Sequence, residues 1–212
     1  MFMPTDFRPA ASNDTHAPRP ILRLPATGML AGTLVETAHG WQPVESLAIG
    51  QPVQTWDGGL QPLARLERKR IAPGAALLRV PGGVLSVCSD MLLLPGQHVM
   101  VDTGAAAEAL EQDVALVPAA ALDGYDGITR ERLTAGIDVV TLAFDSEEIV
   151  YANTGALLHC PAAAAAQALA PKSEFFTVLG IAEARALLGL SAPTPGAPAV
   201  KPLLLGTAVR AA

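Results

Sequence analysis

Two cysteines in 212 residues, Cys88 and Cys160, are too few and too far apart for a disulfide framework, and neither stands in a C-x-x-C pair. A zinc ribbon and a redox dithiol are therefore not indicated, and the apolar or small neighbours of each cysteine predict a buried, unreactive thiol. Aromatic residues are only 4% of the chain, while Ala, Leu, Val, Gly and Pro dominate, a mixture that suits short strands and many turns over a few long helices. Positive charge is scarce as well. A net charge of −6 argues against nonspecific nucleic-acid binding, which needs a basic surface to neutralise phosphates. The dense basic run Arg65 to Arg70, with Glu67 inside it, predicts the solvated face of a strand. There is no G-x-S-x-G, no H-E-x-x-H and no phosphate-binding loop, so hydrolase, metalloprotease and nucleotide chemistry have no motif to rest on. No cofactor is implied and no metal ligand set is read.

Long apolar runs are missing too. The longest uncharged stretch, Ile149 to Pro171, is interrupted by Asn153, His159, Pro161 and Gln167, so a membrane span is not expected. The opening M-F-M-P-T-D-F-R-P has an acid and prolines where a secretory signal needs continuous apolar residues. The expectation is a soluble protein, either cytoplasmic or secreted by a route without a signal peptide.

What is present is a sequence half hydrophobic and long enough for one sizeable core or two small ones, with a single domain the expected count. Residues 1–27 carry five prolines and no hydrophobic period, which predicts a flexible leader. From Gly32 the pattern is all-β. Gly32 to Thr37 and Gln51 to Trp56 read as strands around a turn at His39-Gly40 and one helical turn at Pro43 to Leu47. Asp57-Gly58-Gly59 predicts a hairpin turn into a long strand ending at Ile71. Apolar runs follow at Ala75 to Val80, Val84 to Cys88, Leu92 to Leu94, Val99 to Asp102 and Val114 to Pro118. A last strand pair, Ile137 to Phe144 with Glu148 to Ala152, is joined through Asp145-Ser146. This spacing fits a sandwich or a barrel equally well. Beyond it, Ala162 to Ala170 and Ile181 to Leu190 predict two short helices within a 162–190 extension, and residues 191–212 form a Pro-rich tail.

Four blocks in order carry a resemblance: G-T-L-V-E-T with P-V-E-S-L-A-I-G and V-Q-T-W-D-G-G; D-M-L-L-L-P-G-Q-H-V-M-V; V-A-L-V-P-A-A-A-L; and V-V-T-L-A-F-D-S-E-E-I-V-Y-A-N-T-G-A. Together they resemble the Hint (Hedgehog/intein) domains found in many bacterial proteins, over residues 28–161. The resemblance implies a flattened, horseshoe-shaped β fold of two similar halves. It also implies self-processing, in which a Cys or Ser at the first position of the domain attacks the preceding carbonyl while a histidine of the second block polarises the bond.

Several positions depart from that pattern. Gly28 stands where the nucleophile belongs, Gln51 where an Asp belongs, Pro95 where a Ser or Thr belongs and Glu147 where a second His belongs. The expectation is a Hint-like module that keeps the fold, has lost self-processing and serves a structural or interaction role with an unknown protein partner. The competing expectation is an active domain using Thr27, Thr33 or Cys88 as an unusual nucleophile. His98 is the candidate remnant catalytic imidazole, its alternative being a strand-end histidine satisfied by backbone. Asn153-Thr154 is a candidate cleavage site or an ordinary turn. His39 reads as a surface residue. His159 with Cys160 is a candidate dyad opposed by the rule that strand neighbours point apart. Asp90 and Asp102 could orient His98 or simply form turns.

Overall fold

The computed structural model describes residues 25–165, 173–190 and 201–202. Short strands follow one another at turn spacing: β1 Met29–Leu30, β2 Leu34–Thr37, β3 Gly40–Pro43, β4 Pro52–Thr55, β5 Gly59–Pro62, β6 Arg65–Ile71, β7 Ala76–Val80, β8 Met91–Leu93, β9 His98–Asp102, β10 Val114–Pro118, β11 Thr129–Arg132, β12 Ile137–Ala143, β13 Glu148–Ala152 and β14 Ala156–Cys160. A two-residue strand β15, Lys201–Pro202, joins in parallel to β11. Among the described residues the α-helices are the single turn α1, Ala107–Leu110, and α2, Ile181–Leu187. The architecture is all-β. One sheet runs β15-β11-β7-β8-β1-β12-β6, and the other β10-β9-β14-β13-β2-β4-β5 with β3 beside β2.

The strand expected from Asp57-Gly58-Gly59 to Ile71 is two strands in two sheets. Pro62 ends β5. The next two amides then bond in different directions, Leu63 N–H to Gln51 O at 3.0 Å beside the second sheet and Ala64 N–H to Ala143 O at 3.0 Å on β12 of the first. A proline with no amide proton weakens continuation of the ladder, and the buried Leu63 pins the corner to the core. The expected pair Ile137–Phe144 with Glu148–Ala152 is likewise no hairpin. β12 lies between β1 and β6 in the first sheet, whereas β13 pairs with β14 and touches β2 and β4 in the second. Buried Phe144 marks this second corner.

Val84 to Cys88 is not a strand but a 3₁₀ turn, Val84–Ser86, in which Leu85 and Ser86 take positive φ. The first expected C-terminal helix is absent over the part that is described. Ala162 bridges Phe144 and Ala163 N–H bonds Phe144 O at 2.7 Å, so backbone capture by the corner overrides the helix propensity of the alanines. Residues 166–170 of that helix, the leader up to residue 24, and the tail apart from Lys201–Pro202 lie outside the described residues. The second expected helix is present as α2.

Both sheets contribute to one main core, in which Val35, Val53, Leu63, Leu78, Val80, Leu93, Val117, Leu122, Val140, Phe144, Val150 and Leu158 are all buried. Among the described residues no helix is long and apolar enough to cross a membrane.

Candidate functional site

The site begins where the chain enters β1. Gly28 precedes a two-residue strand held between Val140 of β12 and Leu93 of β8, and its φ is +135°. Side chains rarely adopt that backbone. Space is the second restriction: a Cβ at residue 28 would stand 2.6 Å from Val139 Cγ1 and 2.9 Å from Thr141 Oγ1. Position 28 thus has neither a nucleophile nor room for one as the surroundings are now packed.

The peptide bond between Thr27 and Gly28 is gripped at both ends. Thr141 Oγ1 donates to the Thr27 carbonyl at 3.2 Å, and the Gly28 amide donates to Gln97 Oε1 at 2.9 Å. Gln97, itself buried, spends its own amide on the carbonyls of His98 at 3.0 Å and His159 at 2.9 Å. One side chain therefore ties the entry of β1 to β9 and β14. The leader is pressed closely just upstream, because Gly96 lies so near Ala26 that a Cβ there would meet the Ala26 carbonyl at 2.5 Å. Thr27, Gly28, Gln97, Thr141, His159 and Cys160 line a crevice too tight to admit a water molecule.

His98 opens β9 and is buried, with Nδ1 donating to the Gly96 carbonyl at 3.1 Å. Leu158 pairs with Val99, and extending that register by one residue sets His159 opposite His98. Burial lowers the His98 pKa below its usual 6.5, and the neighbouring His159 lowers it further against a small opposing pull from Gly96. His159 is also lowered by burial, in this case against the carboxylate of Glu147. Its Nε2 stands 3.3 Å from Glu147 Oε2, while Nδ1 is buried without a hydrogen-bond partner among the described residues. A neutral ring donating from Nε2 satisfies this geometry. A second proton on Nδ1 would have no acceptor.

Glu147, at the position where the family pattern has histidine, serves as an acceptor. Its other oxygen receives Ser173 Oγ at 2.6 Å and the amides of Glu174 and Phe175 at 3.2 and 3.1 Å. The carboxylate joins the second β corner to the segment leading into α2. Thr141, Gln97 and the Glu147–His159 pair were not singled out in the sequence as members of this site. For Gln97 the available signal was its place in P-G-Q-H, next to the candidate histidine.

The other candidates lie elsewhere. Asn153 occupies the β13–β14 turn with φ +44°, is buried, and has its side chain committed: Oδ1 accepts the Leu34 amide at 2.8 Å. Thr154 follows with φ +78°, and neither residue lines the crevice at Gly28. Thr33 is buried, with its amide on Leu30 O. Cys88 is exposed, which corrects the expectation of burial. It follows the 3₁₀ turn, its amide held by the Asn153 carbonyl at 2.9 Å, so its place is set by backbone pairing and not by apolar packing. Cys160 is buried, and burial together with the charge of Glu148 pushes its thiol far above the usual range, so no thiolate forms beside His159. Asp90 accepts the Gly82 amide and pairs with Arg79, which hold its pKa below the usual carboxylate value. Asp102 accepts the Gly104 amide at 2.6 Å. Neither aspartate orients His98. His39 is in the exposed β2–β3 turn, as expected. A cavity of about 270 Å³ beside Tyr125 and Leu188, between β9 and β14, contains none of the crevice residues.

A family model described as the Hint domain matches residues 27–157, more than half of the chain, and the chain belongs to that family. Among solved structures it is similar to a bacterial intein-like domain from Clostridium thermocellum, at 16% identity and TM-score 0.47, covering 63% of this chain and 98% of that one. It is also similar to the AceL NrdHF class 3 split intein, at 13% identity and TM-score 0.45 with coverage of 64% and 98%, and to the MchDnaB-1 intein, at 14% and 0.37 with coverage of 61% and 98%. No curated protein matches.

Proposed function

We propose that this Hint domain has lost self-processing at the Thr27–Gly28 bond and serves as a structural or interaction module. The observation that carries the reading is the closed space at position 28, where φ is +135° and a Cβ would run into Val139 and Thr141. An acyl shift needs a side-chain nucleophile on the carbonyl carbon with a proton acceptor beside it. Thr141 Oγ1 donates a hydrogen bond to the Thr27 carbonyl oxygen instead.

Mass spectrometry of the purified full-length chain tests this. The expected result is an intact mass, unchanged after incubation with thiol or hydroxylamine. Fragments beginning near residue 28 or 154 would establish an active domain. Gly28→Cys is expected to stay uncleaved as well, since the residue it introduces has no in-line position to occupy.

A further inference from the structure

The basic run of the sequence is an open sheet edge. β6 is bonded along its length to β12, from Arg65 opposite Ala143 to Ile71 opposite Ile137, and it ends the first sheet with no described strand on its far side. An unpaired edge presents amides and carbonyls that another strand can take up. Charge then decides which strand. Arg65, Arg68, Lys69 and Arg70 stand on this edge with one carboxylate, Glu67, in a chain whose net charge is −6, and residues 67–70 are exposed.

Part of this charge is already engaged within the chain, since Arg65 pairs with Glu67 and Arg70 donates to the Gly136 carbonyl at 3.0 Å. Lys69 makes no ion pair among the described residues, and the Arg70–Asp138 pair at 2.9 Å has side chains 68% and 48% exposed, so it exchanges readily with solvent or another carboxylate. Arg68 differs: it donates to the carbonyls of Glu45 and Leu47 at 3.1 and 3.2 Å, which fixes its guanidinium beside the edge. Two copies of β6 would set cations against cations, so the edge is protected from pairing with itself. The same charges select a strand that carries acids.

We propose that the outer edge of β6 receives an extended acidic segment of another protein as an added strand, with backbone pairing for affinity and Arg65, Arg68, Lys69 and Arg70 for selection. This goes beyond the loss of self-processing and does not depend on it, since binding and chain cleavage are read independently.

The test uses the full chain and a fluorescein-labelled (Val-Glu)₄ peptide in fluorescence anisotropy, with (Val-Lys)₄, a backbone N-methylated (Val-Glu)₄ and an oligouridylate as comparisons. The acidic peptide should bind, weaken several-fold as salt is raised across the physiological range, and slow hydrogen exchange within residues 65–71. Lys69→Glu and Arg65→Glu, both checked for folding by circular dichroism, should each weaken binding about tenfold or more, as a favourable charge contact becomes a repulsive one. No binding of (Val-Glu)₄, unchanged binding in both folded variants, or exchange protection elsewhere would overturn the proposal. Equal binding of the N-methylated peptide or of oligouridylate would also overturn it, by showing diffuse attraction of polyanions without strand pairing.

Discussion

At residue 28 the sequence and the packing speak about the same atom in different ways. The order of the blocks sets Gly28 at the position where the Hint pattern it resembles has a nucleophile. The close packing of Val139 and Thr141 against it could not be read there, because those residues lie more than a hundred positions downstream and meet Gly28 through the β1–β12 pairing. The same separation hid Gln97, whose partner Gly28 is 69 residues away. A cysteine at position 28 must push two neighbours aside on an unfavourable backbone. Gly28→Cys is therefore expected to lower stability by about 2–4 kcal/mol, the sum of overpacking and positive-φ costs, measured as a shift in the urea midpoint. A neutral or stabilising substitution would mean that the pocket relaxes easily around a side chain.

Among the elements, Val84 to Cys88 was expected as a strand where the chain forms a 3₁₀ turn, and Gly40–Pro43, Thr129–Arg132 and Ala156–Cys160 were not expected as strands; the other long strands were legible because alternation and turn residues mark them locally. Their sheet membership was not. β5 and β6 form one apolar-to-basic run in sequence, yet Pro62 and Leu63 turn it between sheets, and Phe144 does the same for β12 and β13. The consequence at β9 and β14 is a pair of buried histidines facing each other, which makes stability depend on pH. Both rings have pKa values below 6.5, so the folded chain holds them neutral while the unfolded chain takes up protons from about pH 6.5 downward. Stability should be full above that value and fall as acidification proceeds, until the lowered folded pKa values are reached. Urea midpoints across pH 4.5–8 at ~0.5-unit intervals check this. His159→Gln, which can still donate to Glu147, should flatten the slope, and an unaltered slope would assign the pH dependence to other groups.

For the molecule as a whole, the core and the all-β class were written plainly in the sequence, since one hydrophobic interior follows from composition. The attachment of the C-terminal extension was not, because it relies on polar residues with no periodic signature. Arg185 of α2 is buried and donates to the carbonyls of Ala121 at 3.1 Å and Asp123 at 2.8 Å, after β10. Upstream, Leu116 exchanges backbone hydrogen bonds with Thr177 and Leu179 on the edge of the second sheet. Arg185→Ala should cost about 2–3 kcal/mol, as charge-assisted bonds are lost and two carbonyls are stranded. Limited proteolysis should then cut first within residues 173–190. Cleavage that begins elsewhere would mean the guanidinium is incidental to docking.

The grip on the Thr27–Gly28 bond matters for whatever lies upstream. With Ala26 close against Gly96, and the Thr27–Gly28 peptide bond tethered by Thr141 on one side and Gln97 on the other, the chain enters the domain where β1, β9 and β14 meet. A peptide fused ahead of residue 25 would therefore join the domain at a backbone held by hydrogen bonds on both sides, to Thr141 at Thr27 and to Gln97 at Gly28.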